Sequence, residues 1–103
     1  MYRYILMPAA LKDLQRITDY LALELHAPDS ADEFLTAVDE ALEKACRMPL
    51  ALPPLTDELF NAYDIRKVLI KNYIAYVIPR DDKKTLTVLR ILYYRQDHRS
   101  QLP

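Results

Sequence analysis

The stretch Val88 to Asp97 (VLRILYYRQD) gathers the residue types in this chain that could do chemistry: an apolar run that abruptly carries Arg90, Tyr93, Tyr94, Arg95 and Asp97. A strand that only closed a core would end with its apolar residues. This one is expected to deliver two guanidinium groups and two phenols to one end of a sheet, a set suited to gripping phosphate, carboxylate or nucleotide bases. Arg66, Lys67, Tyr73 and Tyr76 lie in the preceding apolar runs. Adjacent strand residues face opposite sides, so only one of Arg66 and Lys67 can serve a given surface. Arg66 is the expected one, with a salt bridge to Asp64 or to a loop carboxylate as its structural alternative. Arg90 is expected on the face shared by Leu86, Val88 and Leu92, either buried and paired or forming the wall of a groove. Tyr73, Tyr76, Tyr93 and Tyr94 stack bases, anchor a partner peptide, or pack as ordinary strand tyrosines with the hydroxyl at the surface. Arg95, Asp97 and Arg99 make either a carboxy-terminal patch or a solvated tail. His26 and His98 read as solvated imidazoles.

The elements that position these residues follow from apolar spacing. Tyr2 to Met7 predicts a short strand, and Pro8 suits the first turn of a helix. Leu11, Leu14, Ile17, Leu21 and Leu25 then recur at steps of three and four, predicting an amphipathic helix of about five turns. His26, Ala27 and Pro28 break it. Ser30 with Glu33 has the spacing of a capping box opening a second helix, whose stripe is Phe34, Val38, Ala41, Leu42, Ala45 and Met48 before Pro49. The two helices fold back as a hairpin. Pro49 to Ala62 reads as a loop on the rim of the core, with Leu50, Leu52, Leu55, Leu59 and Phe60 to pack. Strands are predicted over Tyr63 to Ile70, Tyr73 to Ile78 and Thr85 to Tyr93, joined as consecutive hairpins. This order predicts an α+β fold in which an antiparallel sheet of about four strands carries an N-terminal helical hairpin on one face.

Composition narrows the chemistry. With 103 residues, 51% of them hydrophobic, the chain fits one domain, residues 1–103. It contains no glycine, which excludes phosphate loops that need glycine for close backbone approach, so no nucleotide cofactor is expected. Cys46 has no partner for an internal disulfide and no zinc-site neighbours, so no metal is expected and the compartment reads as reducing and cytoplasmic. The first apolar run is too short for a signal peptide or a membrane span. A net charge of −1 argues against nucleic-acid binding by bulk electrostatics. Residues 1–47 nonetheless carry five basic and nine acidic groups, and residues 48–103 nine basic and six acidic. The sheet half is the expected anion-facing surface, unless the difference is surface scatter.

The chain resembles the RelE/ParE superfamily of toxins from bacterial type II toxin–antitoxin modules. The resemblance runs over nearly its whole length: Pro8-Ala9-Ala10 with Asp13-Leu14, Ile17 and Tyr20, then Ala31, Phe34 and Pro49, Arg66 entering the sheet, Tyr73 to Ile78 (YIAYVI), and Leu89 to Tyr93 (LRILY) followed by Arg95 and Asp97. It implies a growth-arresting, plasmid-stabilisation-like toxin held inactive by a cognate antitoxin, as a hetero-oligomer or alongside a homodimer. One branch of the superfamily cleaves messenger RNA on the ribosome; another acts on DNA gyrase. In the cleaving branch an arginine and a further basic or imidazole group stand where this chain has Tyr73 and, near the last strand, Tyr93 and Tyr94. A neutral phenol donates a hydrogen bond but cannot balance phosphorane charge as guanidinium does. Arg90-Ile91-Leu92-Tyr93 is similar to the Arg-Val-Leu-His of gyrase-directed relatives. The resemblance therefore implies a toxin that binds its target, with a ribosome-dependent endoribonuclease using Arg66, Arg90, Tyr93, Tyr94 and Arg95 as the second reading. A degenerate member that only pairs with an antitoxin or with itself is the third.

Overall fold

The computed structural model describes residues 1–55 and 63–102. Strand β1 (Arg3–Leu6) leads into helix α1 (Pro8–Asp19), whose first-turn proline gives up an N–H that would have no partner there. Over Tyr20–Glu24 the helix widens into a π-helical turn, and the Leu25 N–H reaches back five residues to the Tyr20 carbonyl at 3.0 Å. His26 stops it with φ of 50°. The helix has the length expected from its apolar spacing, with a wider last turn.

Helix α2 (Pro28–Arg47) starts at its own proline, so the Ser30–Glu33 pair lies inside the helix and makes no side-chain cap. Phe34, Val38, Leu42 and Ala45 are buried along its apolar stripe and Ala41 packs beside them. Met48 departs from that stripe: the helix has already ended, and the residue is 66% exposed. In the following loop Leu52 and Leu55 pack while Leu50 is exposed; Leu59 and Phe60 lie outside the described residues.

Strands β2 (Arg66–Ile70), β3 (Tyr73–Arg80) and β4 (Thr85–Tyr93) form the expected antiparallel meander, although β2 starts three residues late and β3 continues two residues past Ile78. The sheet order is β1-β4-β3-β2, and β1 pairs with β4 in parallel. One pairing of the sheet is thus not antiparallel. The reason is the path of the helices: α1 carries the chain onward past the far end of β4, and α2 brings it back to the start of β1, where the Tyr2 N–H donates to the Cys46 carbonyl at 3.2 Å. With β2 starting from that end and β3 running against it, β4 must run with β1.

The helices cover one face of the sheet over Ala75, Val77, Leu86, Val88 and Ile91; on the other face Ile65, Tyr76 and Leu92 form a second, smaller cluster with Leu89 and Leu102. A bulge explains the changeover along β4. Tyr76 pairs with Arg90 but Val77 pairs with Val88, so Leu89 is an extra residue and the alternation slips by one. Leu86 and Val88 therefore belong to the helix-side core and Leu92 to the other cluster, which corrects the expectation that Arg90 shares one face with all three.

A chain without glycine must still turn. Among the described residues its left-handed turn positions fall on His26, Asp64, Lys71 and Lys84, with φ between 49° and 53°, a conformation that costs a side chain about 1 kcal/mol or more relative to glycine.

Candidate functional site: an aromatic cleft at the end of the sheet

The sheet ends where α1's widened turn crosses it. Tyr73, the first residue of β3, lies against Phe34 of α2 with ring centroids 4.9 Å apart and meets the ring of Tyr93, the last residue of β4, edge-on at 5.5 Å. Tyr94 tilts against Tyr93 at 5.0 Å. Tyr20, Leu21 and Leu25 from the π-helical turn and Ser30 and Glu33 from α2 complete an open cleft of about 600 Å³, with Lys71 and Asn72 of the β2–β3 turn at its mouth. A smaller recess of about 250 Å³ shares Tyr20, Tyr73 and Tyr93 and adds Arg16, Ile17 and Gln96. Burial, helped by the neighbouring phenols Tyr93 and Tyr20, pushes the Tyr73 hydroxyl above its ordinary pKa of 10.0. Near neutral pH it is an uncharged hydrogen-bond donor.

The sequence-predicted residues do not converge on this cleft. Of them, Tyr73 and Tyr93 line it; Tyr94 rests on Tyr93 beside it and carries Arg95, whose Nε donates to the Tyr94 hydroxyl at 2.8 Å and whose guanidinium carbon lies 5.3 Å from that ring's centre. Arg90 is turned away. Its Nε and Nη2 donate to the two carboxylate oxygens of Asp13 at 2.7 and 2.8 Å, and its Nη1 donates to the carbonyl and side-chain oxygens of Gln101 at 3.2 and 2.9 Å. Of the two readings open to Arg90, the paired one describes its geometry. Arg66 sits on the far strand of the sheet, 3.3 Å from Asp64, and donates to the Leu50 and Leu52 carbonyls at 2.7 and 3.4 Å. Tyr76 faces the second cluster and is buried. Asp97 lies beyond β4, its main-chain carbonyl accepting the Ser100 hydroxyl at 3.1 Å.

Asp13 is the residue that sequence reasoning missed as a partner. It is 1% exposed and also accepts the Ile91 N–H at 3.0 Å and Arg16 Nη2 at 2.9 Å. β1 stops opposite Val88, so beyond that point the β4 edge has no strand beside it, and α1 supplies the acceptor through this carboxylate. Burial by itself would raise the Asp13 pKa; the hydrogen bonds from Arg90, the Ile91 amide and Arg16 outweigh it and hold the carboxyl below its usual 3.8. The same i, i+3, i+7 row of α1 carries Arg16 and Tyr20, which is the signal that could have joined all three to one face.

His98 is also not a solvated imidazole. Its Nδ1 bonds to the Tyr76 hydroxyl, and its Nε2 lies 2.7 Å from the Tyr93 carbonyl. Because a carbonyl can only accept, Nε2 is the donor of that pair. The carboxy-terminal segment is thereby pinned to the outer face of the sheet, with Leu102 packed into the second cluster. His26 stands at the helix hairpin, away from both groups.

The cleft offers phenols, the Asn72 amide, the Ser30 hydroxyl, the Glu33 carboxylate, the Lys71 ammonium and apolar walls. Among the described residues no three His, Cys, Asp or Glu side chains are placed to share a metal. No helix among them is long and apolar enough to cross a membrane. Such a surface is suited to taking the aromatic or aliphatic anchor of a protein partner.

Comparison with known proteins bears on the family and the fold. The family model for the ParE toxin of the type II toxin–antitoxin system parDE matches residues 4–98. Among solved structures, the chain is similar in fold to one in the crystal structure of the RelBE2 toxin–antitoxin complex from Mycobacterium tuberculosis, with a TM-score of 0.65 and 21% identity over 89% of this chain and 96% of that one. It is similar also to one in the chromosomal ParDE toxin–antitoxin system from P. aeruginosa, with a TM-score of 0.70 and 18% identity over 90% of this chain and 95% of that one. No curated protein sequence matches it.

Proposed function

This chain belongs to the family of ParE toxins of type II toxin–antitoxin systems, and from that premise we propose that it arrests growth by binding DNA gyrase and is neutralised by a cognate antitoxin. The observation that carries the binding reading is the fate of Arg90. A metal-independent ribonuclease of this fold needs cationic groups facing the scissile phosphate to offset the charge gathering on phosphorus. Here the guanidinium in the middle of the last strand is consumed by Asp13 and Gln101, and the centre of the sheet end is made by the phenols of Tyr73 and Tyr93, with Lys71, Arg16 and Arg95 around them. Tyr20, Tyr73, Tyr93, Tyr94 and Arg95 are the residues assigned to target contact. The antitoxin partner is supported by the solved relatives, which are toxin–antitoxin complexes.

The test is expression from a tightly repressed promoter with and without the antitoxin gene beside it. Growth arrest with relaxed plasmid and intact messenger RNA, relieved by the neighbour, is the expected result. Arrest with cleaved message would move the function to the ribosome, and Arg90→Ala and Arg95→Ala would then abolish the cleavage.

A further inference from the structure

The end of the sheet opposite the aromatic cleft carries two arginines that the fold leaves without a partner. Strand pairing places Arg3 of β1 and Arg80 of β3 on either side of Thr85 of β4, in one row across three strands. Val77, Leu86 and Val88 belong to the helix-side core, so alternation puts this row, and the row of Ile5, Thr87 and Ile78 beside it, on the outer face. The two arginine Cα atoms are about 10 Å apart, two strand spacings, with the threonine midway. Both side chains are exposed, and among the described residues neither has a hydrogen bond or an ion pair. Arg16, Arg66 and Arg90 each meet a carboxylate, Arg95 lies on Tyr94, and Arg47 sits in the last turn of α2, where a cation suits the helix end. Thr85 is 4% exposed and its hydroxyl donates to nothing. No buried side-chain oxygen or nitrogen among the described residues lacks a partner, so what Thr85 leaves open to the surface includes that hydroxyl. The carboxylates of the β3–β4 turn do not neutralise the row: Asp81 accepts from the Tyr2 hydroxyl and from Lys84 Nζ, each at 2.8 Å, and Lys83 offsets Asp82 in charge.

We propose that Arg3, Thr85 and Arg80 form a phosphate-binding site that grips the backbone of duplex DNA held by gyrase. The inference rests on the gyrase reading above and deepens it, because the toxin then contacts the DNA as well as the enzyme. Two like charges held about 10 Å apart with no counter-ion between them suit a ligand that repeats its negative charge, and each DNA strand does so about every 3.4 Å of rise. The Thr85 hydroxyl adds a neutral donor between the two guanidinium forks. The row lines neither the aromatic cleft nor its recess. Small ligands are taken in concave sites, whereas a backbone laid across an open sheet face needs no cavity. With two cations the site is weak by itself, in keeping with a net charge of −1. It gains strength from the protein contact that brings the DNA to it. Phosphate contacts position a protein without reading sequence, so no base preference is expected.

The test titrates the purified chain with a short fluorescent DNA duplex at low salt, comparing the parent with Arg3→Gln, Arg80→Gln and, as a control of equal charge change outside the row, Arg47→Gln. All three side chains are exposed, and an unchanged melting midpoint establishes that the variants fold. The parent's affinity should fall with salt at a logarithmic slope of about −2, and each row variant should bind about fivefold more weakly with a slope shallower by about 1. The control should stay within about twofold of the parent. In a supercoiling reaction the two row variants should need about fivefold more protein for half inhibition, while their affinity for gyrase free of DNA matches the parent's. A parent that does not bind the duplex, row variants that bind it within twofold of the parent, or a control that loses as much as they do would overturn the proposal. So would displacement of the duplex by inorganic phosphate at an equal concentration of phosphate groups, because the site would then belong to a small oxyanion. Failure of the gyrase reading shows separately: the parent leaves supercoiling unimpaired while the duplex titration still reports on the row.

Discussion

The Asp13 carboxylate, through which α1 holds β4, makes the fold sensitive to acid. Its folded pKa lies below the ordinary aspartate value of 3.8, so the stability it contributes is fully present above the unfolded pKa and is lost as pH falls through the folded one. Urea midpoints should therefore hold steady from neutral pH to about 5 and fall below about 4, and Asp13→Asn should flatten that acid limb. At neutral pH the same variant should lose about 3 kcal/mol, because Arg90 and the Ile91 amide lose a charged acceptor in a site closed to water. Tyr76→Phe should act more mildly. Removing the hydroxyl that holds His98 should cost about 1 kcal/mol and speed proteolysis of the segment after Arg95, as read by limited digestion. A paired Arg90 was legible in the sequence, because a strand arginine among apolar neighbours needs a counter-charge. Its partner was not: Asp13 lies 77 residues away, on the helix that follows the first strand.

At the scale of elements, periodicity reported the helices and the meander faithfully because the buried stripe of α2 and the β-branched runs have one period each. Two features broke that simplicity. The bulge at Leu89 changes which face β4 presents without changing its composition, and the widened turn at Tyr20–Glu24 keeps the apolar spacing while altering the hydrogen bonds beneath it. Neither leaves a mark in a pattern of apolar and polar residues. The glycine-free turns do, and they give a prediction: Lys71→Gly should raise stability by about 0.5 to 1 kcal/mol, since glycine accepts the left-handed φ of 53° at no steric cost. A higher urea midpoint at unchanged slope is the readout. Phe34→Ala should do the opposite. That ring is 2% exposed and joins α2 to Tyr73, and its loss should cost about 3 to 4 kcal/mol while opening the floor of the aromatic cleft.

Across the whole molecule the cleft takes its walls from Tyr73 at the start of β3 and Tyr93 at the end of β4, and a groove runs along Val68 and Leu69 of β2. The excess of basic groups in residues 48–103 has no single focus: Arg90 faces Asp13, Arg66 faces loop carbonyls, and Arg95 lies on Tyr94. The aromatic end was legible as a set of residues in VLRILYYRQD, but its contributors from the helices, Tyr20 and Phe34, could be placed there only once the hairpin had been laid across the sheet. The central claim is that this end of the molecule binds rather than cleaves. Its most direct test is titration of purified chain into a DNA gyrase supercoiling reaction, run beside a ribosome-bound messenger RNA at the same concentrations. Loss of supercoiling with intact message, weakened at least tenfold by Tyr93→Ala, is the predicted result; unimpaired supercoiling with cleaved message would contradict it.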